Sequence, residues 1–294
     1  MQPWWAVVNP RAGRRGQVAA RARRALESRG LEALISVPDR AEDVGRVVHD
    51  GIAAGHRRFL AVGGDGTVNL VVDALLRRPW GQPPVLGILP AGSGCDLLRT
   101  FALPQQMERA VAHLLGDQTY RADVGLLQGH WGERHFLNVA EAGIGAATVR
   151  ASRRMPRPLG SSRYRIAFWV TLARFRPSDV ELRAGRRSYR GPATNVVFAN
   201  GQFFGGGLNI APKANLVDGL LDIQVFTGPL REAPALLRRV RGGLHLDHPS
   251  VRRLSSEEFD LVTGRPWPVE ADGELLGETP LRGRVLPEAI EIKI

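Results

Sequence analysis

A run of small residues around one carboxylate, Gly63-Gly64-Asp65-Gly66-Thr67, follows an apolar segment and precedes a helical pattern. Glycine lets the backbone approach a ligand closely, and the N–H groups at the start of a helix attract phosphate oxygens. The carboxylate of Asp65 would repel phosphate unless a cation lay between them, which implies Mg²⁺ at this turn. The alternative is a tight strand-to-helix turn in which Asp65 or Thr67 only caps the helix.

Two further turns have a similar composition. Asn9-Pro10-Arg11-Ala12-Gly13 follows the apolar segment Trp4 to Val8, and Pro90-Ala91-Gly92-Ser93-Gly94 follows Val85 to Leu89. In a parallel sheet all such turns open at the carboxyl edge, where ligands bind. Their convergence favours a phosphate site over a simple capping turn. The spacing fits neither G-x-G-x-x-G nor the P-loop.

The composition of the chain favours anionic binding partners and an intracellular location. The 294 residues are 44% hydrophobic and carry a net charge of +11, and all but two of the 40 basic side chains are arginine. With so little lysine, Arg11, Arg14 or Arg15 would have to hold phosphate. Cys95 is the only cysteine, which excludes an internal disulfide. No apolar run reaches the ~18 residues of a spanning helix. Because the lone cysteine is compatible with a reducing compartment, we expect a cytoplasmic protein that associates peripherally with a membrane.

The periodicity of apolar residues divides the chain into two parts. The first ~120 residues alternate strand, glycine turn and helix, which predicts a mainly parallel sheet covered by helices. The helix after Thr67 has its buried face at Val68, Val71, Val72 and Leu75, and the helix after Gly94 has Leu97, Leu98 and Phe101 on its apolar side. After Tyr120 the sequence predicts a mainly β domain of short strands. Its strand candidates are Asn195 to Ala199, Leu221 to Phe226 and Val269 to Ala271, and its helical stretches are Arg163 to Arg174 and Leu230 to Arg241.

Motifs along most of the chain resemble those of the diacylglycerol kinase catalytic family, which includes bacterial lipid kinases, sphingosine kinases and ceramide kinases. In the first half they are Asn9-Pro10-x-Ala12-Gly13, Gly63 to Asn69 and Leu89-Pro90-Ala91-Gly92-Ser93-Gly94. In the second half they are Asn200-Gly201-x-Phe203-Phe204-Gly205-Gly206-Gly207, Ala211-Pro212, Asp218-Gly219-x-Leu221-Asp222 and Asp272-Gly273-Glu274. They recur in the family's order.

The resemblance implies an α/β plus β fold class. A Rossmann-like three-layer α/β domain, residues 1–122, is followed by a β-sandwich domain, residues 123–285, and the final strand, 286–294, returns to the first domain. ATP is the expected phosphate donor, with Mg²⁺, in the cleft between the domains. The residues expected at the nucleotide are Asn9, Pro10, Arg11, Ala12, Gly13, Gly63, Gly64, Asp65, Gly66, Thr67, Asn69, Gly92 and Ser93.

The resemblance also assigns roles outside the nucleotide site. Asp65 is expected to act near Mg²⁺ and phosphate, and Glu274 or Asp272 to take the proton from a lipid hydroxyl. Asp218, with the backbone carbonyls of Asn215 and Leu220, resembles a structural metal site. A polar network of Asp96, Arg99 and Asp123 is expected to join the domains.

Two positions depart from the family pattern. Leu70 stands where a glutamate usually follows the asparagine, and Cys95 stands where an asparagine usually precedes Asp96. Leu70 removes a carboxylate from the neighbourhood of the phosphates. Because Asp65 and the later carboxylates are retained, the sequence favours an active enzyme.

The segment from Ala142 to Ser178 contains eight arginines and no acidic residue. A helical stripe of Tyr164, Phe168, Leu172 and Phe175, with Trp169 beside it, would suit a helix on an anionic membrane. The alternative is a core-packed helix with solvated arginines. Nucleic acid is not expected, because no module signature is present. A homodimer is compatible with the sequence, which carries no signal for oligomeric state.

Three functions remain open at this point. The favoured one is a lipid kinase at a membrane surface, with diacylglycerol as the acceptor by analogy only. The second is an NAD kinase or phosphofructokinase, since both use a GGDG turn on a related sheet. The third is a membrane-associated regulator that binds nucleotide without turnover.

Overall fold

The computed structural model of the chain describes residues 2–9, 17–91, 95–156, 159 and 162–294. The chain forms two compact units, Met1–Val124 with Leu286–Ile294 (unit 1) and Gly125–Val285 (unit 2). The boundary predicted from the sequence lies two residues earlier, after residue 122. Each unit has its own buried core.

Unit 1 alternates strands and helices. Its elements are β1 (Trp4–Val8), α1 (Gln17–Glu27), β2 (Ala33–Ser36), α2 (Val44–Ala53), β3 (Arg58–Gly63), α3 (Asp65–Leu76), β4 (Val85–Pro90), α4 (Asp96–Thr100) and α5 (Met107–Ala110). Short 3₁₀ helices cover Ala41–Asp43 and Val111–Leu114. Strand β5 (Thr119–Gly129) begins in unit 1, and β18 (Leu281–Lys293) ends there.

The sheet of unit 1 is parallel, with the order β2-β1-β3-β4-β18. Its strands are near-continuous apolar runs because helices cover both faces of such a sheet. Helix α3 buries the predicted stripe of Val68, Val71, Val72 and Leu75. The strand–turn–helix pattern predicted for this part of the chain is therefore confirmed, and the turns after β1, β3 and β4 open at one edge.

Unit 2 is mainly β. Its remaining strands are β6 (Gly132–Phe136), β7 (Val139–Gly143), β8 (Ser178–Ala184), β9 (Arg187–Ala193), β10 (Asn195–Ala199), β11 (Phe203–Phe204), β12 (Leu208–Asn209), β13 (Leu221–Phe226), β14 (Val251–Ser256), β15 (Glu258–Thr263), β16 (Pro268–Ala271) and β17 (Glu274–Glu278). Its helices are α6 (Ile144–Arg153), α7 (Ser162–Arg174) and α8 (Ala233–Arg241).

Two antiparallel layers make up unit 2. One has the order β14-β13-β10-β7-β16-β17, and the other runs from the first half of β18 through β15 and β8 to β9. Their facing apolar side chains form one core, in which the rings of Phe198 and Phe259 stack with centroids 3.7 Å apart. The predicted fold class, an α/β domain followed by a β-sandwich, is confirmed.

The structure departs from the predicted elements in three places. The helix predicted from Leu230 to Arg241 is a 3₁₀ turn, Leu230–Glu232, followed by α8, whose first turn holds a proline. Helix α4 ends at Thr100, so Phe101 lies beyond it and packs edge-on against Tyr120. Strands β5 and β18 are longer than the short strands predicted after residue 120. No helix in the part of the chain that the structure describes could span a membrane.

Candidate functional site

The glycine turn of unit 1 is a close-packed strand-to-helix connection. Strand β3 ends at Gly63, Gly64 is the extended residue that precedes the helix, and α3 begins at Asp65. A Cβ on Gly63 would lie 2.2 Å from Oγ1 of Thr67, so a larger residue cannot be accommodated without displacing that side chain. The turn therefore presents the first backbone N–H groups of a 12-residue helix at the carboxyl edge of the sheet.

The described ends of the other two loops are tied to this turn. The side-chain amide of Asn9 donates to Oγ1 of Thr67 at 2.9 Å. The backbone N–H of Ala91 donates to the carbonyl of Gly63 at 3.0 Å. The structure thus brings together the three loops that the sequence predicted to converge. The predicted nucleotide residues Pro10, Arg11, Ala12, Gly13, Gly92 and Ser93 lie outside the described residues.

Asp65 has a structural partner that the sequence did not predict. Its Oδ1 atom accepts the backbone N–H of Asp96 at 2.7 Å and contacts that of Leu97 at 3.4 Å. The carboxylate of the glycine turn therefore holds the beginning of α4, at the end of the third loop. Burial, and then the charge of Asp65, raise the pKa of the neighbouring Cys95 thiol, so this cysteine stays a neutral, buried side chain.

The three residues predicted to join the domains have hydrogen-bond or ion-pair partners inside unit 1. Arg99 pairs with Asp96, with 3.1 Å between Nε and Oδ1. Asp123 accepts the backbone N–H of Glu288 at 2.9 Å, which fastens the returning strand β18. Their role in joining the domains stays a prediction.

A second group of predicted residues lies at the turn between β16 and β17 in unit 2. Asp272 and Gly273 both have positive φ, 47° and 83°. The carboxylate of Asp272 accepts three backbone N–H groups at 2.8 to 3.0 Å, from Leu137, Asn138 and Val139. These bonds fix the turn against the beginning of β7, because a carboxylate that accepts several N–H groups is held firmly.

Glu274, the other carboxylate predicted at this turn, is partly exposed. Its side chain is 39% exposed, and Oε2 pairs with Nη2 of Arg153 at 2.7 Å. The same guanidinium group donates to the carbonyl of Gly273 at 2.8 Å. Asp272 is thus held by three backbone hydrogen bonds, whereas the carboxylate of Glu274 pairs with one arginine side chain.

The predicted metal site lies in the surface loop before β13. Oδ1 of Asp218 accepts the N–H of Leu220 at 3.0 Å, and both Asp218 and Asn215 are exposed. One carboxylate and two backbone carbonyls are oxygen donors of the type that Mg²⁺ and Ca²⁺ prefer, but they fill only part of a six-coordinate shell. Across the described ranges, no three His, Cys, Asp or Glu side chains are grouped to hold a metal ion.

Sequence reasoning missed an apolar cavity in unit 2. It has a volume of about 100 Å³, and its wall includes Ile144, Phe168, Phe204, Ile210, Phe226 and Leu236. A wider surface groove of about 920 Å³ shares Tyr164, Phe168 and Leu237 with this cavity. The groove also carries Trp169 and three exposed arginines, Arg165, Arg238 and Arg241. No motif could reveal the cavity, because its wall comes from many separate elements.

Two buried carboxyl groups lie next to each other beside this cavity. Glu141 on β7 and Glu270 on β16 are register partners, and each is 2% exposed. Burial raises the pKa of Glu141, although the amide of Asn195 acts in the opposite direction. Burial, and then the charge of Glu141, raise the pKa of Glu270 well above its usual range. The pair therefore keeps protons that exposed carboxyl groups would lose.

Helix α7 does not present the predicted stripe to solvent. Tyr164 and Phe168 line the cavity, and Phe175 packs against Trp267 with ring centroids 5.6 Å apart. Tyr164 and Phe168 also line the surface groove, so a contact of this stripe with a membrane stays a prediction. The exposed apolar side chains of the helix are Ile166, Trp169 and Val170, of which Trp169 is 59% exposed.

Two family models match the chain. The diacylglycerol kinase catalytic domain matches residues 3–127. The YegS C-terminal NAD kinase beta sandwich-like domain matches residues 138–294, which is more than half of the chain. The two matches together include all of the family motifs singled out in the sequence.

Relatives and solved structures agree with these matches. Lipid kinase YegS of Escherichia coli (strain K12) is 27% identical over 270 residues, 92% of this chain and 88% of that protein. A YegS relative from Shigella flexneri has the same identity and coverage. A crystal structure of a diacylglycerol kinase from Bacillus anthracis str. Sterne has a TM-score of 0.73 at 19% identity, covering 99% of this chain and 96% of that one. Another crystal structure from that organism has a TM-score of 0.81 at 21% identity, with the same coverage.

Proposed function

This chain belongs to the diacylglycerol kinase catalytic family, and we propose that it transfers the γ-phosphate of ATP to the hydroxyl of a diacylglycerol-like lipid at a membrane surface. Membership of the family confirms the enzyme class predicted from the sequence, a lipid kinase. The observation that carries the finer proposal is the apolar cavity of unit 2 with its arginine-edged groove. A polar acceptor such as NAD or a sugar would gain little from such a wall, whereas an acyl chain would be desolvated by it.

ATP would bind at the converged loops of unit 1. Backbone N–H groups at the start of α3 would receive its phosphate oxygens, and Asn9 and Thr67 would hold two of the loops in place. Asp65 would fix the third loop through α4. A carboxylate at this turn fits Mg²⁺, which when bound would neutralise the charge that develops on the phosphates.

Glu274 would act as the general base. Its carboxylate would take the proton of the lipid hydroxyl as that oxygen attacks the γ-phosphorus. The bond from phosphorus to the oxygen it shares with the β-phosphate would break, and ADP would leave. Arg153 would orient Glu274, and Asp272 would hold the turn from which Glu274 projects.

Helix α7 and the arginines near it would bind the protein to the membrane surface. Trp169 and Ile166 would enter the interface of the bilayer, and nearby arginines would attract anionic lipid headgroups. Trp169 is the side chain predicted beside the stripe, whereas Ile166 is an exposed apolar side chain outside it. We retain the loop of Asp218 as a structural metal site, which titration with Mg²⁺ and Ca²⁺ can test.

Incubation with γ-labelled ATP and a bacterial lipid extract, with NAD and fructose 6-phosphate in parallel tubes, tests the proposal. Label in a chloroform-soluble lipid phosphate is the expected result. Label in NADP or in a sugar phosphate would replace the lipid with a polar acceptor. Nucleotide that binds without transfer to any acceptor would make the protein a regulator without turnover.

A further inference from the structure

A buried carboxyl group, that of Glu270, accepts a hydrogen bond from the turn that carries Glu274. The proposed reaction gives Glu270 no role. The backbone N–H of Gly273 donates to Oε2 of Glu270 at 2.7 Å. Glu270 precedes this turn on β16 and is almost fully buried. A hydrogen bond of this kind restrains the backbone from which Glu274 projects.

Glu141 connects this restraint to the cavity. It lines the cavity and lies opposite Glu270 in the neighbouring strand. Nδ2 of Asn195 donates to Oε2 of Glu141 at 2.8 Å, and Oδ1 of Asn195 accepts the N–H of Gly145, which sets the orientation of the amide. Gly145 also leaves the space that the carboxyl group needs, since a Cβ there would lie 2.0 Å from Oε1.

The remaining oxygen of Glu141 indicates a shared proton. Oε1 is buried and receives no hydrogen bond from the described groups when both carboxyl groups are ionised. Two adjacent carboxylates in a low-dielectric wall would repel each other, whereas one proton between them removes the repulsion and satisfies an oxygen. One proton held by the pair would therefore stabilise the folded structure.

We propose that Glu270 is a positioning residue for Glu274, and that it acts as half of a proton-sharing pair with Glu141 in the wall of the cavity. This inference rests on the proposed function, because it assumes that Glu274 is the base. Glu141 lines the cavity and lies opposite Glu270, so it links the cavity wall to the turn that carries Glu274.

The charged and titratable groups around the pair decide how it responds to pH. Arg153 from α6 favours ionisation of Glu270, and Asp272 opposes it. Burial of the hydroxyl, and then the charges of Glu141 and Glu270, raise the pKa of Tyr164 on α7, so it stays neutral. Loss of the shared proton would leave two adjacent negative charges and push the turn out of place. The kcat of the wild type should therefore fall on the alkaline side.

Kinetics of four variants test the proposal. Glu270→Leu cannot accept the N–H of Gly273, so we expect kcat at pH 7 to fall at least tenfold while KM for ATP stays within twofold. Glu270→Gln keeps an acceptor oxygen and should restore at least part of that loss. Glu270→Gln and Glu141→Gln should each abolish the alkaline fall of kcat. Glu181→Gln is the control, because Glu181 is a partly exposed carboxylate paired with Arg190 on the surface of unit 2.

Hydrogen exchange gives a readout that does not depend on activity. The amide of Gly273 should exchange at least tenfold faster in Glu270→Leu than in the wild type, and no faster in Glu181→Gln. If the wild type transfers no phosphate, the proposed function fails and this exchange rate alone decides whether Glu270 restrains the turn.

Two results would overturn the inference. One is a Glu270→Leu protein that melts at a lower temperature but keeps its kcat and its Gly273 exchange rate within twofold, since the pair would then only pack. The other is an alkaline fall of kcat that persists in both glutamine variants. If Glu270→Leu does not fold, the glutamine variants still give the second result.

Discussion

The loops of unit 1 and the cavity of unit 2 are built in opposite ways. The loops join through backbone groups and short polar side chains, at the ends of three neighbouring parallel strands. The cavity is formed by large apolar side chains from helices and strands far apart in the sequence, with two buried carboxyl groups beside it. The proposed phosphate site thus depends on local backbone geometry, whereas the proposed acceptor site depends on distant side chains that meet only in the fold.

The largest effect is expected for a substitution of Asp65, which lies at the loops of unit 1. We expect Asp65→Asn to lower kcat by roughly 10²- to 10³-fold, because it removes a charge from the site of phosphate transfer. An amide oxygen can still accept the N–H of Asp96, so the circular dichroism spectrum should not change. Asp50→Asn, at an exposed position of α2, is the control. Full activity of Asp65→Asn would remove Asp65 from the mechanism.

The next effect concerns the cavity alone. Ala233 lines it from the first turn of α8, and a phenyl ring there would fill much of a space of about 100 Å³. We expect Ala233→Phe to raise KM for a short-chain lipid roughly tenfold and leave KM for ATP unchanged. Ala235→Phe, at an exposed position of the same helix, should change neither constant. Unchanged lipid kinetics in Ala233→Phe would place the acceptor elsewhere.

The contrast between the regions explains how much the sequence could predict. The glycine turn could be predicted from the sequence, because a Cβ on Gly63 would collide with Thr67 and α3 begins at Asp65. Strands β10 and β13 begin and end where predicted, since their apolar runs are bounded by turn residues. The fold class followed from such patterns and from the order of the motifs.

Other features were beyond sequence patterns for physical reasons. The bond from Asp65 to the N–H of Asp96 joins residues that are distant in sequence, and nothing local signals it. The stripe of α7 has helical spacing, but spacing alone does not say which side of the helix faces the core, so it could not show that Tyr164 lines a cavity. Glu141 and Glu270 become a pair only because β7 and β16 are neighbours.

The two regions should also respond to pH with opposite signs. In unit 1, burial lowers the pKa of His113 to about 4, so stability falls as the pH drops from ~6.5 towards 4. In unit 2, the raised pKa values of Glu141 and Glu270 mean that the folded state keeps protons that the unfolded chain loses. Stability therefore falls as the pH rises above ~4.3.

Two substitutions measure these slopes through the free energy of unfolding in urea. His113→Leu should lower the stability at pH 8 relative to that at pH 5 by about 2 kcal/mol. Glu270→Gln should raise the stability at pH 8 relative to that at pH 5. Slopes that are unchanged in both variants would mean that neither buried group titrates as its environment indicates.

The smallest expected effect is at the surface of α7. Trp169→Ser should weaken binding to anionic liposomes by about fivefold, and high salt should release both the variant and the wild type. Val262→Ser removes another exposed apolar side chain of unit 2 and is the matched control. Equal loss in the two variants, or equal binding to neutral liposomes, would argue against α7 as the membrane contact.

The most direct test of separate nucleotide and acceptor sites is steady-state kinetics of Thr67→Val and Ala233→Phe, with ATP and lipid varied independently. Thr67→Val keeps the shape of the side chain but loses the acceptor for the amide of Asn9. The predicted result is a crossed pattern, in which Thr67→Val raises only KM for ATP and Ala233→Phe raises only KM for the lipid. A pattern in which both variants change KM for the same substrate would contradict separate nucleotide and acceptor sites.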